Sequence, residues 1–181
     1  MKKTIHNKCD QISEMVEWLF HVIPFKQLRH TENVDFEVMS FFEEFNGVDI
    51  VKHESWARSP WSIDWEWDYW YMHPHQEDNL ITLNGNRHVE LYTKEHWKIE
   101  KFEISYEWIK RNWKTILDWP WILGWPVNVF HRNYSPEWSI SMNFAVRSDD
   151  FDIDTEFNIY DLNSETWEYS VAREGKLDQP K

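Results

Sequence analysis

The 181-residue chain reads as an all-β protein, one sandwich or barrel domain preceded by a short N-terminal helix. Three observations predict this. Segments rich in β-branched and aromatic residues recur with a period near two from Asp35 onward. Polar turn formers separate them at short intervals. No alternation of strands with long helices appears, which argues against a doubly wound α/β fold.

Taken in order, Ile12, Met15, Val16, Leu19 and Phe20 follow an Asp10 or Ser13 cap at helical spacing, predicting an amphipathic helix over 10–22. Phe36-Glu-Val38 and Val48-Asp-Ile50-Val begin the strands. Further strands are expected over 66–73, 78–84, 87–93, 98–105, 115–118, 121–131, 139–147, 155–160 and 167–173, with one helical turn at Glu107 to Asn112. The division that follows is an N-terminal extension over 1–34, a barrel over 35–175 and a tail over 176–181.

Composition narrows the partners. A formal charge of -13 opposes phosphate backbones and anionic membranes, so neither nucleic acid nor membrane is an expected partner. No run of about 18 apolar residues occurs, and the polar start MKKTIHNKCDQISEM lacks a secretion signal's apolar core. A cytoplasmic location is the expectation. Cys9 is the single cysteine, so a thiolate-built metal site is excluded and any ion must use His and carboxylates.

Glycine and tryptophan are out of balance. Ordinary usage of about 7% would give roughly a dozen glycines, whereas the chain has 4 glycines and 14 tryptophans. Trp56, Trp61, Trp97, Trp113, Trp119, Trp121, Trp138 and Trp167 include many that stand among polar turn formers, where a positive φ favours glycine. These positions read as UGA codons translated here as Trp and meant as Gly, a reassignment some bacterial lineages make. Trp70, Trp108 and Trp125 sit in apolar strand contexts and read as authentic. Trp65 and Trp67 are compatible with either reading. The competing reading is a set of surface tryptophans that bind a ligand.

In Tyr71-Met-His73-Pro-His75 two histidines stand two apart, which on a strand points both imidazoles to one face and suits two ligands on one metal. Glu77 or Asp78 follows as a carboxylate, and Gly85 closes the segment. This order resembles the first motif of the cupin superfamily, the RmlC-like jelly roll: glycine, five residues, His-x-His, three or four residues, Glu, six residues, glycine. Asp78 keeps the interval to Gly85, Glu77 competes with it, and Trp67 occupies the leading glycine's place. The second cupin motif has a proline, a glycine two beyond it and a histidine three beyond that. Pro126-Val-Asn128-Val-Phe-His131 reproduces it with Asn128 for the glycine. Asn is the non-glycine residue that best tolerates the left-handed conformation.

The resemblance spans about residues 65 to 145. It implies a cupin jelly roll holding one divalent ion (Fe, Mn, Zn, Ni or Co) through His73, His75, His131 and Asp78 or Glu77, and a homodimer. It further implies a small-molecule substrate or ligand, with isomerase/epimerase-like or dioxygenase-like chemistry, or a non-catalytic module for a sugar-like ligand. His88 and Glu90 share a strand face and are candidates for the cavity wall or for a solvated face. Tyr69, Tyr71, Phe130 and Asn143 are candidates for its lining. Isolated Gly47, Gly85, Gly124 and Gly175 form no phosphate-cradling loop, and no Gly-x-Ser-x-Gly elbow occurs.

Overall fold

The computed structural model describes residues 12–32, 34–38, 45–63, 66 and 68–179. Cys9, Trp65 and Trp67 lie outside the described residues. The strands in the first half are β1 (Glu14–Val16), β2 (Phe20–Pro24), β3 (Lys26–Thr31), β4 (Val34–Val38), β5 (Gly47–His53), β6 (Arg58–Ser59), β7 (Tyr69–Tyr71), β8 (Gln76–Asn84) and β9 (Arg87–Tyr92). Then come β10 (Glu100–Ile104), β11 (Ile109–Arg111), β12 (Lys114–Leu117), β13 (Trp121–Trp125), β14 (Phe130–Tyr134) and β15 (Ser139–Arg147). A single turn of helix, α1 (Ile153–Glu156), precedes β16 (Ile159–Asn163) and β17 (Glu168–Arg173).

Two antiparallel sheets face each other. One runs β1-β2-β13-β8-β15-β5; the other runs β12-β11-β10-β9-β14-β7-β16-β17, with β6 also on β14, while β3 and β4 form a separate hairpin. Leu80, Leu123 and Trp125 from the first sheet meet Val89, Leu91, Phe102, Ile104 and Ile109 from the second in one core. Burying such side chains contributes about 1.5–3 kcal/mol each and is the main force closing the sandwich.

The helix expected over 10–22 is absent: β1 and β2 form a hairpin there, with Glu14 opposite Val22 and Val16 opposite Phe20. The apolar residues that fit a helical stripe serve the sheet instead. Phe20 and Val22 are in the core, and Phe20 meets Phe102 edge to face with centroids 4.8 Å apart. The helical turn expected at Glu107–Asn112 is likewise strand β11, paired with β10 and β12. The expected strand over 121–131 breaks between β13 and β14, where Asn128 has φ 64°. The 155–160 segment opens in α1 and becomes strand only at Ile159.

Trp18, Trp56, Trp97, Trp113 and Trp167 all have positive φ, between 57° and 71°. Each fills a turn position suited to glycine. Trp18 and Trp56 occupy the third position of tight turns, closed by Leu19 N–H to Val16 O and by Ala57 N–H to Glu54 O. Asn112 (φ 47°) and Trp113 (φ 71°) form the two-residue link between β11 and β12, the place where Asn-Gly is the preferred pair. By contrast, Trp121 is buried in the core and the Trp119 indole donates to Phe25 O at 2.9 Å, so both side chains are integrated into the packing.

Replacing Trp18, Trp56, Trp97 and Trp113 with glycine, singly and together, is expected to stabilise the fold. These side chains are 59–76% exposed, so little packing is lost. A left-handed conformation costs an L-residue about 1–2 kcal/mol, partly offset by glycine's unfolded-state entropy. Thermal unfolding should show a cumulative rise in Tm; a fall for the Trp113→Gly variant contradicts the strain.

Candidate metal and ligand site

The loop joining β7 to β8 carries His73, strand β8 carries Asp78 and strand β14 carries His131. The pairing of β14 with β7 sets His131 opposite Tyr71, and the Asn128 N–H donates to His73 O at 2.9 Å, tying the two loops together. Asn128 takes the left-handed conformation its place in the motif called for.

All three side chains are buried, and one ligand atom from each lies within 4.8 Å of the others. His73 Nε2 is 3.6 Å and His131 Nε2 is 3.9 Å from the same oxygen, Asp78 Oδ2. A backbone carbonyl only accepts, so His73 Nδ1, 2.6 Å from Glu156 O, and His131 Nδ1, 3.2 Å from Val129 O, must carry protons. In the neutral imidazoles both Nε2 atoms therefore present lone pairs to Asp78 Oδ2. Burial, with His73 adding to it, pushes His131 down to about 4, so it is neutral at ordinary pH.

The other oxygen, Asp78 Oδ1, is satisfied by Gln76 Nε2 at 2.7 Å and Asn143 Nδ2 at 2.6 Å. Both amides are fixed in turn. Gln76 Oε1 accepts from Arg147 Nε at 2.8 Å, and Asn143 Oδ1 accepts from the Asn79 N–H at 2.7 Å. When both imidazoles are neutral, three acceptor atoms face one another here, a donor set able to receive a cation. The donor set of two imidazoles and one carboxylate suits Fe, Mn, Zn, Ni or Co, whose ligand distances of about 2.0–2.2 Å require ligand atoms roughly 3–3.5 Å apart.

His75 and Glu77 are not brought to this point. Pro74 lies between strands, so the two histidines do not share a strand face. His75 is on the outside, its Nδ1 2.6 Å from Glu156 Oε1, and its N–H donates to Glu156 Oε2. Glu77 alternates away from Asp78 along β8 and accepts from Asn79 Nδ2 at 3.3 Å. Glu156, at the end of α1, thus holds both histidines, through its carbonyl and its carboxylate. No signal in the sequence marked it.

The triad lies on the wall of a cavity of about 320 Å³ between the sheets, which Tyr71, Arg87, Trp125, Asn133, Asn143 and Phe157 also line. Tyr71, Trp125 and Phe157 pack their rings against the two histidines, with centroids 5.1 to 6.1 Å apart. Burial, with Asp178 adding to it, pushes the Tyr71 phenol above its ordinary value, so it remains a donor. Of the expected lining residues, Tyr71 and Asn143 reach the cavity, whereas Phe130 joins a second apolar cluster and Tyr69 lies on an outer groove. His88 and Glu90 line that outer groove as well, Glu90 bound to Arg132 and Lys101.

The fold is a known one in three dimensions. Over 75% of its length the chain superimposes on 85% of a sugar 3,4-ketoisomerase from Thermoanaerobacterium thermosaccharolyticum in complex with TDP, with 13% identity and a TM-score of 0.52. A dTDP sugar isomerase from Desulfovibrio desulfuricans matches over 76% of this chain and 84% of its own, with 12% identity and a TM-score of 0.52. A dTDP-4-dehydrorhamnose 3,5-epimerase from Sulfolobus tokodaii does so over 77% and 76%, with 11% identity and a TM-score of 0.52. The chain has the cupin fold. No family model and no curated relative matches the sequence, so the likeness is one of fold. Among the described residues no helix is long and apolar enough to cross a membrane.

One titration of the barrel is separable from the triad. His53 on β5 is buried, its Nδ1 3.1 Å from Ser135 Oγ, and burial together with the charge of Arg87 lowers it from 6.5 to about 4. Between those values the unfolded chain binds the extra proton, so stability is full above pH 6.5 and falls as the pH drops toward 4. The share of His53 is at most about 3 kcal/mol. Urea unfolding across this range should show an acid limb that flattens in His53→Gln; an unchanged limb would show that His53 is free to charge in the fold.

Proposed function

We propose that this cupin is a small-molecule enzyme with one divalent ion held by His73, Asp78 and His131, its chemistry of the isomerase or epimerase kind. The observation that supports the metal is the approach of His73 Nε2 at 3.6 Å and His131 Nε2 at 3.9 Å to one carboxylate oxygen, Asp78 Oδ2, in a buried group of three ligand-type side chains. The fold shared with sugar isomerases and an epimerase supports the class of reaction. When bound, the ion would supply Lewis acidity for polarising a substrate carbonyl or hydroxyl.

The chain's own residues do the rest. Gln76 and Asn143 hold Asp78 so that Oδ2 faces the cavity. Glu156 O and Val129 O fix the tautomers of both imidazoles. Trp125 and Phe157 crowd water from the metal side, and the protonated Tyr71 hydroxyl is available as a donor on the cavity wall.

A second reading, a non-catalytic module for a small ligand, is favoured by one observation. Asp49, the other carboxylate on the wall, is engaged by Arg147 Nη2 at 3.0 Å, so the described lining offers no carboxylate base apart from Asp78. Turnover of the bound compound separates the two readings.

Elemental analysis of the purified protein is expected to give close to one equivalent of a divalent metal. Asp78→Asn and His131→Ala should lower retention at least about tenfold, whereas His75→Ala should keep it. A folded wild type that takes up no metal after reconstitution contradicts the assignment.

We also infer that UGA recoding underlies the glycine-poor turns. Five tryptophans in left-handed turn positions support it, among them Trp18, which the sequence pattern had hidden inside an apparent helix. The gene should carry TGA at the codons for Trp18, Trp56, Trp97, Trp113 and Trp167; TGG at most of them contradicts recoding.

A further inference from the structure

Arg87 is a buried cation without a counterion. Only 1% exposed on β9, it donates through Nε to Ser139 Oγ at 3.2 Å and through Nη2 to Val51 O at 2.8 Å. No carboxylate pairs with it among the described residues. Asp49, which shares the cavity with it, is held by both of its oxygens to Arg147 Nη2 at 3.0 Å. Nothing takes the hydrogens of Nη1 among the described residues, and Arg87 lines the same cavity as His73, Asp78 and His131.

A charge withdrawn from water without a partner costs several kcal/mol, and burial alone draws the Arg87 guanidinium down to about 10. The neighbouring hydroxyl chain from Ser139 to Ser135 to His53 contributes no negative charge, since His53 is kept neutral. On the wall of the same cavity Asn133 Oδ1 is also buried without a partner among the described residues. An open guanidinium nitrogen and an unpartnered amide oxygen on one cavity wall mark a place where a ligand's polar atoms complete the bonding.

We propose that the cavity takes a small hydroxy or keto acid, with its carboxylate on Arg87, its hydroxyl groups near Asn133 and its other end at His73, Asp78 and His131. The planar guanidinium matches a carboxylate. A volume of about 320 Å³ is near the lower end of ligand pockets, which suits an acid of few carbons. This deepens the reading of the cavity as a small-molecule site and rests on it, but it does not depend on the metal.

The test is calorimetric titration of the full chain with glycerate, tartrate and gluconate beside glycerol, threitol and glucitol. The same preparations, wild type, Arg87→Gln and Arg87→Lys, are assayed for metal content. The acids are expected to bind at least tenfold more tightly than the matching alcohols. Arg87→Gln should lose about ten- to hundredfold in acid affinity with metal content unchanged, and Arg87→Lys should recover part of it. Equal affinity for acids and alcohols, failure of a metal-loaded wild type to bind any of the acids, or full acid affinity in Arg87→Gln overturns the proposal. Should Arg87→Gln not fold, the comparison of acids with alcohols in the wild type decides by itself. Metal-free protein that still binds the acids through Arg87 overturns the metal assignment and leaves this inference standing.

Discussion

A carboxylate buried between two sheets is the constraint around which this barrel is arranged. Asp78 is 4% exposed, and a charge taken that far from water must find partners or be neutralised. One oxygen is answered by two amides, Gln76 and Asn143, which are themselves oriented by Arg147 and by a backbone N–H. The other faces His73 Nε2 and His131 Nε2 at 3.6 and 3.9 Å. The protein thus uses its hydrogen bonds to aim one carboxylate oxygen at two histidines on the wall of a cavity.

The supporting parts follow from that requirement. His73 is aimed by the carbonyl of Glu156 and His131 by that of Val129, so the tautomers are set by backbone and not by titration. Glu156 is fully buried at the end of the short helix α1, capped by Asp152, and its carboxylate holds His75 away from Asp78. Arg87 gives the wall of the same cavity a positive charge, in a chain whose overall charge is -13. The cavity wall therefore carries both a carboxylate flanked by two imidazoles and a guanidinium.

Much of this was legible in the sequence because motif and strand periodicity agree there. The Pro-x4-His interval and the interval to Gly85 pointed to His131 and Asp78, which the fold brings together, and Asn128 takes the left-handed conformation expected of it. Other parts were obscured by lost turn signals. With glycine at position 18 the hairpin of β1 and β2 would have announced itself; with Trp18 the same apolar residues imitate a helix. The link at Asn112-Trp113 concealed β11 in the same way. His75 was misplaced because the spacing argument presumed a continuous strand, which Pro74 prevents. Glu156 and Arg87 could not be found by pattern, since their roles come from contacts across 81 and 52 residues of sequence.

The central claim is tested most directly by anomalous diffraction from crystals grown with manganese or zinc, recorded on either side of the metal edge. The account predicts one strong peak in coordination contact with His73 Nε2, His131 Nε2 and Asp78 Oδ2. A cavity with no peak, or a peak at His75 and Glu156 instead, would contradict it.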